Sequence, residues 1–150
     1  MDMDIDVWEF ILKTGAASIS GALLGLERKY KGKPAGLKTY TLVSLGAATF
    51  IIISLLFLNE SGTDMTRIVG QVVVGVGFLG AGVILHDKNN KSVTGLATSA
   101  TIWCSAAAGS LAGFGLYLPL FAFTIMVLVI NLVFGYVNSK IDNKADEELD

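Results

Sequence analysis

The chain has 150 residues, of which 53% are hydrophobic and 16% charged, with a formal net charge of −2. Soluble domains carry about 25% charged residues, so this composition excludes an ordinary soluble enzyme and offers no basic footprint for nucleic acid. A single cysteine, Cys104, excludes an internal disulfide and a Cys-rich zinc site, while 17 glycines and a mean hydropathy of +0.63 suit membrane helices.

The first residues, MDMDIDVWEF, are acidic and lack the basic start of a secretory signal. Charges then divide the chain into five predicted spans, at about 7–28, 38–59, 66–86, 94–113 and 118–138. A short acidic tail follows at 140–150. The expected class is therefore all-α, a polytopic membrane protein with five transmembrane helices and no second domain.

On the first span, Glu9, Lys13, Ala16, Ser20 and Glu27 share a face. Glu9 and Lys13 are spaced to pair near one interface, where Lys13 can snorkel. Gly21 and Gly25 form a GxxxG pair suited to close helix packing. Glu27 and Arg28 mark the other end. Thr39 to Asn59 is the second charge-free run.

The third span contains GVGFLGAG, Gly75 to Gly82, which matches the dinucleotide pattern G-x-G-x-x-G. That chemistry needs a soluble strand–turn–helix and an acid about 20 residues further on. Here the pattern lies in continuous apolar sequence, and Asp87 follows too soon. The glycines read instead as a thin helix. Gly70, Gly77 and Ala81 lie on one side and Gly75 and Gly82 on another, with Gly80 in the same stretch, so this helix is expected at the centre of the bundle. A stripe of Asp64, Arg67, Gln71, Gly75, Phe78 and Gly82 is more polar. Asp64 can cap the helix and pair with Arg67. Gln71 lies deeper and needs a hydrogen-bond partner.

His86 and Asp87 end the third span at the predicted level of Glu27. Mg²⁺ prefers carboxylates and retained water, so Glu27 and Asp87, ahead of His86, are the candidate metal ligands. On the fourth span, Thr94, Thr98, Thr101, Ser105, Ala108 and Ala112 form a small, hydroxyl-bearing face. It suits interhelical bonding and, as an alternative, a hydrated path. Cys104 points away from that face. The turn before the fifth span runs from Gly113 to Pro119, and Asn131 within the fifth span is expected to bond a neighbouring helix.

Orientation follows from the basic residues. Arg28, Lys29, Lys31, Lys33, Lys38, Lys88, Lys91, Lys140 and Lys144 fall on one side of a five-span topology, while Arg67 sits on the other. The N-terminus is expected outside and the C-terminus in the cytoplasm.

Three blocks carry a resemblance: GLERKYKGKPAGLKTYTLVSLGAA at 25–48, DMTRIVGQVVVGVGFLGAGVIL at 64–85, and VTGLATSATIWCSAAAGSLAGFG at 93–115. In this order they are similar to the MgtC/SapB family of bacterial inner-membrane proteins. The resemblance implies a multi-pass protein of the bacterial inner (plasma) membrane. It implies a link to growth or survival at low Mg²⁺, and in pathogens to survival inside host cells. The polar positions it carries over are Glu27, Arg28, Asp64, Arg67, Gln71, Asp87, Thr98 and Cys104. Ala97 departs from the usual Asn or Thr, and His86 from a common Arg. Many members continue into a cytosolic ACT-like domain, so the expected form here is the membrane domain alone.

The expected function is non-enzymatic: support of adaptation to low magnesium by regulating another inner-membrane complex, as a homo-oligomer, a dimer, in the lipid bilayer. No cofactor is expected, and Mg²⁺ is the one ion implied. The alternative is a magnesium or other cation carrier or channel. Glu27, Asp87 and Asp64 would be its charged gates and the Thr98–Thr101 face its lining. Against it stands the lack of a charged residue deep in the third, fourth or fifth span. Catalysis is not expected, because no nucleophile–base pair is visible and the single histidine lies at a helix end.

Overall fold

A computed structural model describes residues 6–57, 64–87 and 92–147. Five helices carry the fold: α1 (Val7–Tyr30), α2 (Leu37–Leu55), α3 (Met65–Val83), α4 (Leu96–Gly113) and α5 (Tyr117–Glu147). Between α3 and α4 lies a short antiparallel hairpin, β1 (Leu85–Asp87) and β2 (Ser92–Thr94), in which His86 faces Val93. The hairpin is an addition to the all-helical expectation.

The helix ends have local causes. Asp6 caps α1 by accepting a 2.9 Å bond from the Trp8 amide. Asp64 caps α3 through the Thr66 amide at 3.0 Å. Both relieve an amide that the first helical turn leaves unpaired. Gly95, which joins β2 to α4, has φ +91°, a left-handed conformation that a side chain would strain. It also lies against the Val83 carbonyl, with no room for a Cβ. Pro119 sits in the first turn of α5, where its missing amide costs nothing.

Successive helices alternate in direction, as the contacts show. Gly21 meets Tyr40 and Gly25 meets Leu37, so α1 and α2 are antiparallel. Gly109 lies on Ser44 and Gly113 on Ala48, so α2 and α4 are parallel. Gly80 meets Ser99, setting α3 against α4. Ser20 bonds Thr124 at 2.7 Å and Lys31 bonds Asn131, so α1 and α5 run together. One end of the bundle therefore gathers Arg28, Lys31 and Lys33, and the other Asp6, Glu9 and Asp64.

The centre of the bundle is α4, which packs on α1, α2, α3 and α5. Ile102, Ala108 and Ala112 are wholly buried, and Ser105 is too. Three of its hydroxyls donate to backbone oxygens: Thr101 and Ser110 within the helix, and Ser105 to the Tyr40 carbonyl at 2.8 Å. Across the α1–α2 contact, Ser44 donates to the Ala17 carbonyl at 2.7 Å. Such bonds between membrane helices contribute about 0.6 to 2 kcal/mol each. The expectation that α3 is central does not hold in this fold. α3 packs on α4 and, less extensively, on α2. A Cβ built at Gly70, Gly75, Gly77 or Gly82 would meet nothing within 4 Å; the close approach at α3 is made by Gly80. The reason is that valine, phenylalanine and leucine separate its glycines, so most of its surface is bulky and outward-facing: Val74, Phe78 and Leu79 are exposed.

Among the described residues, three helices are long and apolar enough to cross a membrane: Leu37–Leu55, Thr66–Val83 and Tyr117–Ile141 of α5. α1 carries Glu9, Lys13, Glu27 and Arg28, and α4 is built from small and hydroxyl-bearing residues. Helix α5 also continues past the predicted end at 138, because the following Lys, Ala and Glu are good helix formers with no Gly or Pro to stop them.

Candidate functional site

The last turn of α1 places Glu27, Arg28 and Lys31 at the basic end of the bundle. Arg28 is 3% exposed. Its Nη2 donates to Glu27 Oε1 at 2.7 Å, and its Nε donates to Glu27 Oε2. This two-point fork is the strong form of an arginine–carboxylate pair. Lys31, one helical turn on, has its Nζ 3.2 Å from Glu27 Oε1. The same ammonium donates to the Asn131 carbonyl on α5 at 2.8 Å. Gly135 makes room for it: a Cβ there would lie 2.5 Å from Lys31 Nζ. One carboxylate thus organises two cations, and the second cation ties α1 to α5.

α4 supplies the adjoining wall. Tyr40 of α2 is buried and donates its hydroxyl to the Thr98 carbonyl at 3.2 Å. Thr101 donates to the Ala97 carbonyl at 2.8 Å, and its Oγ1 is 3.4 Å from Asn131 Oδ1. The Asn131 Nδ2 is buried and has no hydrogen-bond partner among the described residues. Between α1, α4 and α5 lies a cavity of about 860 Å³, with Arg28, Lys31, Lys33, Thr101, Cys104 and Asn131 on its walls.

Five of the sequence-predicted positions therefore lie in one neighbourhood: Glu27, Arg28, Thr98, Thr101 and Cys104. Asp64, Arg67 and Gln71 lie elsewhere, along a groove of about 850 Å³ between α2 and α3 whose walls are apolar, with Leu42, Phe50, Val72 and Leu79 among them. At its mouth Arg67 Nε is 3.5 Å from Asp64 Oδ2, both side chains being exposed. Thr66 Oγ1 donates to Asp64 Oδ1 at 2.6 Å. That hydroxyl first, then the Thr66 amide and the Arg67 charge, hold the Asp64 carboxyl below its ordinary range. The side chain of Asp87 lies outside the described residues, so the Glu27–Asp87 metal pair is seen from one side only. Glu27 is already engaged by Arg28 and Lys31.

Sequence reasoning missed Lys31, Lys33 and Tyr40 as partners of this site, and Gly135 as the space for Lys31. The i,i+4 spacing of Glu27 and Lys31 was a usable signal. The Lys31–Asn131 bond joins residues 100 apart and had none. Lys13 is also buried, paired with Glu9 at 2.6 Å at the opposite end.

No solved structure matches the chain significantly. Among curated proteins, Protein MgtC of Brucella abortus is 43% identical over 129 residues, 83% of this chain and 52% of its own length. Protein MgtC of Salmonella typhimurium is 44% identical over 127 residues, 85% of this chain and 53% of its own. The Escherichia coli protein named "Putative magnesium transporter YhiD" is 40% identical over 142 residues, 91% of this chain and 65% of its own. The chain spans about half the length of the MgtC proteins it matches. Residues 15–140 match the MgtC family itself, and with relatives at this identity the chain belongs to the MgtC family of membrane proteins.

Proposed function

We propose that the chain is a five-span protein of the bacterial inner membrane, with its basic end in the cytoplasm, and that it supports adaptation to low magnesium by regulating another membrane complex. The magnesium link rests on family membership and on the name of the Escherichia coli relative. The regulatory reading rests on one observation: Glu27, a carboxylate of the basic end, is held by the two-point fork of Arg28 and by the ammonium of Lys31. A divalent cation passing there would have to displace both cations before reaching the Glu27 carboxylate. Mg²⁺ sheds its water reluctantly and needs freely offered oxygens. The basic end is arranged as a charged docking surface rather than as a cation path. Self-association through the open glycine side of α3 fits a dimer.

Magnesium flux into proteoliposomes separates this reading from the carrier, which the name of the Escherichia coli relative favours. Folded, inserted protein should give flux no greater than empty vesicles, and Glu27→Gln should not change it. Saturable flux that Glu27→Gln abolishes would overturn the regulatory reading and make Glu27 part of a path.

A further inference from the structure

The geometry points to a second property, independent of magnesium: the cavity at the basic end is a binding site for a phosphate-bearing anion. Arg28, Lys31 and Lys33 face one volume of about 860 Å³. Among the described residues, these three cations face one carboxylate, Glu27, which leaves two positive charges in surplus. Like charges held this close raise the local potential and attract an anion. Glu27 occupies Nε and Nη2 of Arg28. A guanidinium has five N–H donors, so its Nη1 face is left for another acceptor. Among the described residues Lys33 has no carboxylate within ion-pair distance.

The neutral groups agree with the charges. Among the described residues the buried donor Asn131 Nδ2 has no partner, a condition that native structures seldom leave unanswered. Asn138 and Ser139 add polar groups further along α5. The other walls are apolar, with Val127, Ile130 and Phe134 among them. A phosphate seated on Arg28 and Lys33, with an acyl chain along α5, satisfies both kinds of wall. Basic pockets between membrane helices bind anionic headgroups in this manner. A free phosphorylated compound shares the headgroup chemistry and would use the cations alone.

The test uses the full purified chain in neutral detergent. Native mass spectrometry measures retention of phosphatidylglycerol and of zwitterionic phosphatidylcholine, with and without inorganic phosphate. Phosphatidylglycerol should be retained in preference. Lys33→Gln removes a cavity charge and should weaken retention about fivefold, the effect of one basic residue near an anionic lipid. Lys29→Gln, an exposed cation one turn away, should leave it unchanged. Cys104 gives a readout that needs no variant: it lies on the cavity wall and is the chain's one thiol. Bound phosphatidylglycerol should slow its alkylation, and phosphatidylcholine should not. Protection by inorganic phosphate alone would assign the site to a free anion and keep the proposal. Equal retention of both lipids, with no protection of Cys104 by either lipid or phosphate, would overturn it. So would equal losses in Lys33→Gln and Lys29→Gln, which would reduce the effect to general surface charge.

Discussion

Helix α3 has five glycines in nineteen residues and α4 two in eighteen, yet α4 lies at the centre and α3 at the edge. The difference is in what stands beside the small residues. In α4 the buried positions, apart from Ile102 and the two glycines, are alanine, serine and threonine, which thin the helix and can also bond, as Ser105 does to the Tyr40 carbonyl. In α3 the glycines alternate with valine, phenylalanine and leucine, and four of the five have open space beside them. Glycine permits a close approach, but a matching surface and a satisfied hydrogen bond decide whether it is used.

Paired leucine substitutions test this contrast at its largest. A Cβ at Gly109 would press into the Ser44 peptide, with the carbonyl carbon 2.8 Å and the Cα 2.9 Å away. Gly109→Leu should therefore cost about 3 kcal/mol or more and should abolish folded monomer in detergent. Gly77→Leu should leave the monomer's thermal unfolding unchanged while removing any dimer on size-exclusion chromatography. Equal damage to the monomer from both would erase the distinction between the two helices.

Ser105→Ala is a smaller step. It removes the bond to Tyr40 while nearly preserving shape, so the expected loss is about 1 kcal/mol. Thermal unfolding of the variant checks it, and a loss as small as that of an exposed hydroxyl such as Thr41 would show that the α2–α4 contact is held by packing alone.

The smallest effect concerns the outer end of α3. The Asp64 carboxyl has a lowered pKa in the folded chain. Its contribution is therefore present above the ordinary aspartate value and is lost as pH falls through the lowered one. Protection of the Thr66 and Arg67 amides against hydrogen exchange, measured relative to the intrinsic rate at each pH, should fall in acid. Asp64→Asn keeps a capping oxygen and cannot titrate, so it should remove that pH dependence. A dependence that survives in Asp64→Asn would assign it to another group.

Local features were legible from sequence because their causes are local. Asp64 caps the next residues, Glu27 sits beside Arg28, and Pro119 marks the start of α5. The breaks between helices followed from charge and turn residues. What escaped the sequence is the choice of partner for each face. The stripe through Glu27 gave no indication that α5 lies across from it, or that Lys31 would reach a carbonyl 100 residues away. The hairpin of Leu85–Asp87 with Ser92–Thr94 is too short for a periodic signal. The central position of α4 depends on four neighbours at once, which no single window of sequence contains.

Helix α5 runs unbroken from Asn131, where Lys31 grips its backbone, to Glu147. Those sixteen further residues form an arm of about 24 Å. A tilt of about 10° at the grip would sweep its tip through roughly 4 Å. The Lys31 contact is thus the point nearest the basic end at which α1 fixes the direction of the arm, and a small error there would be multiplied along its length.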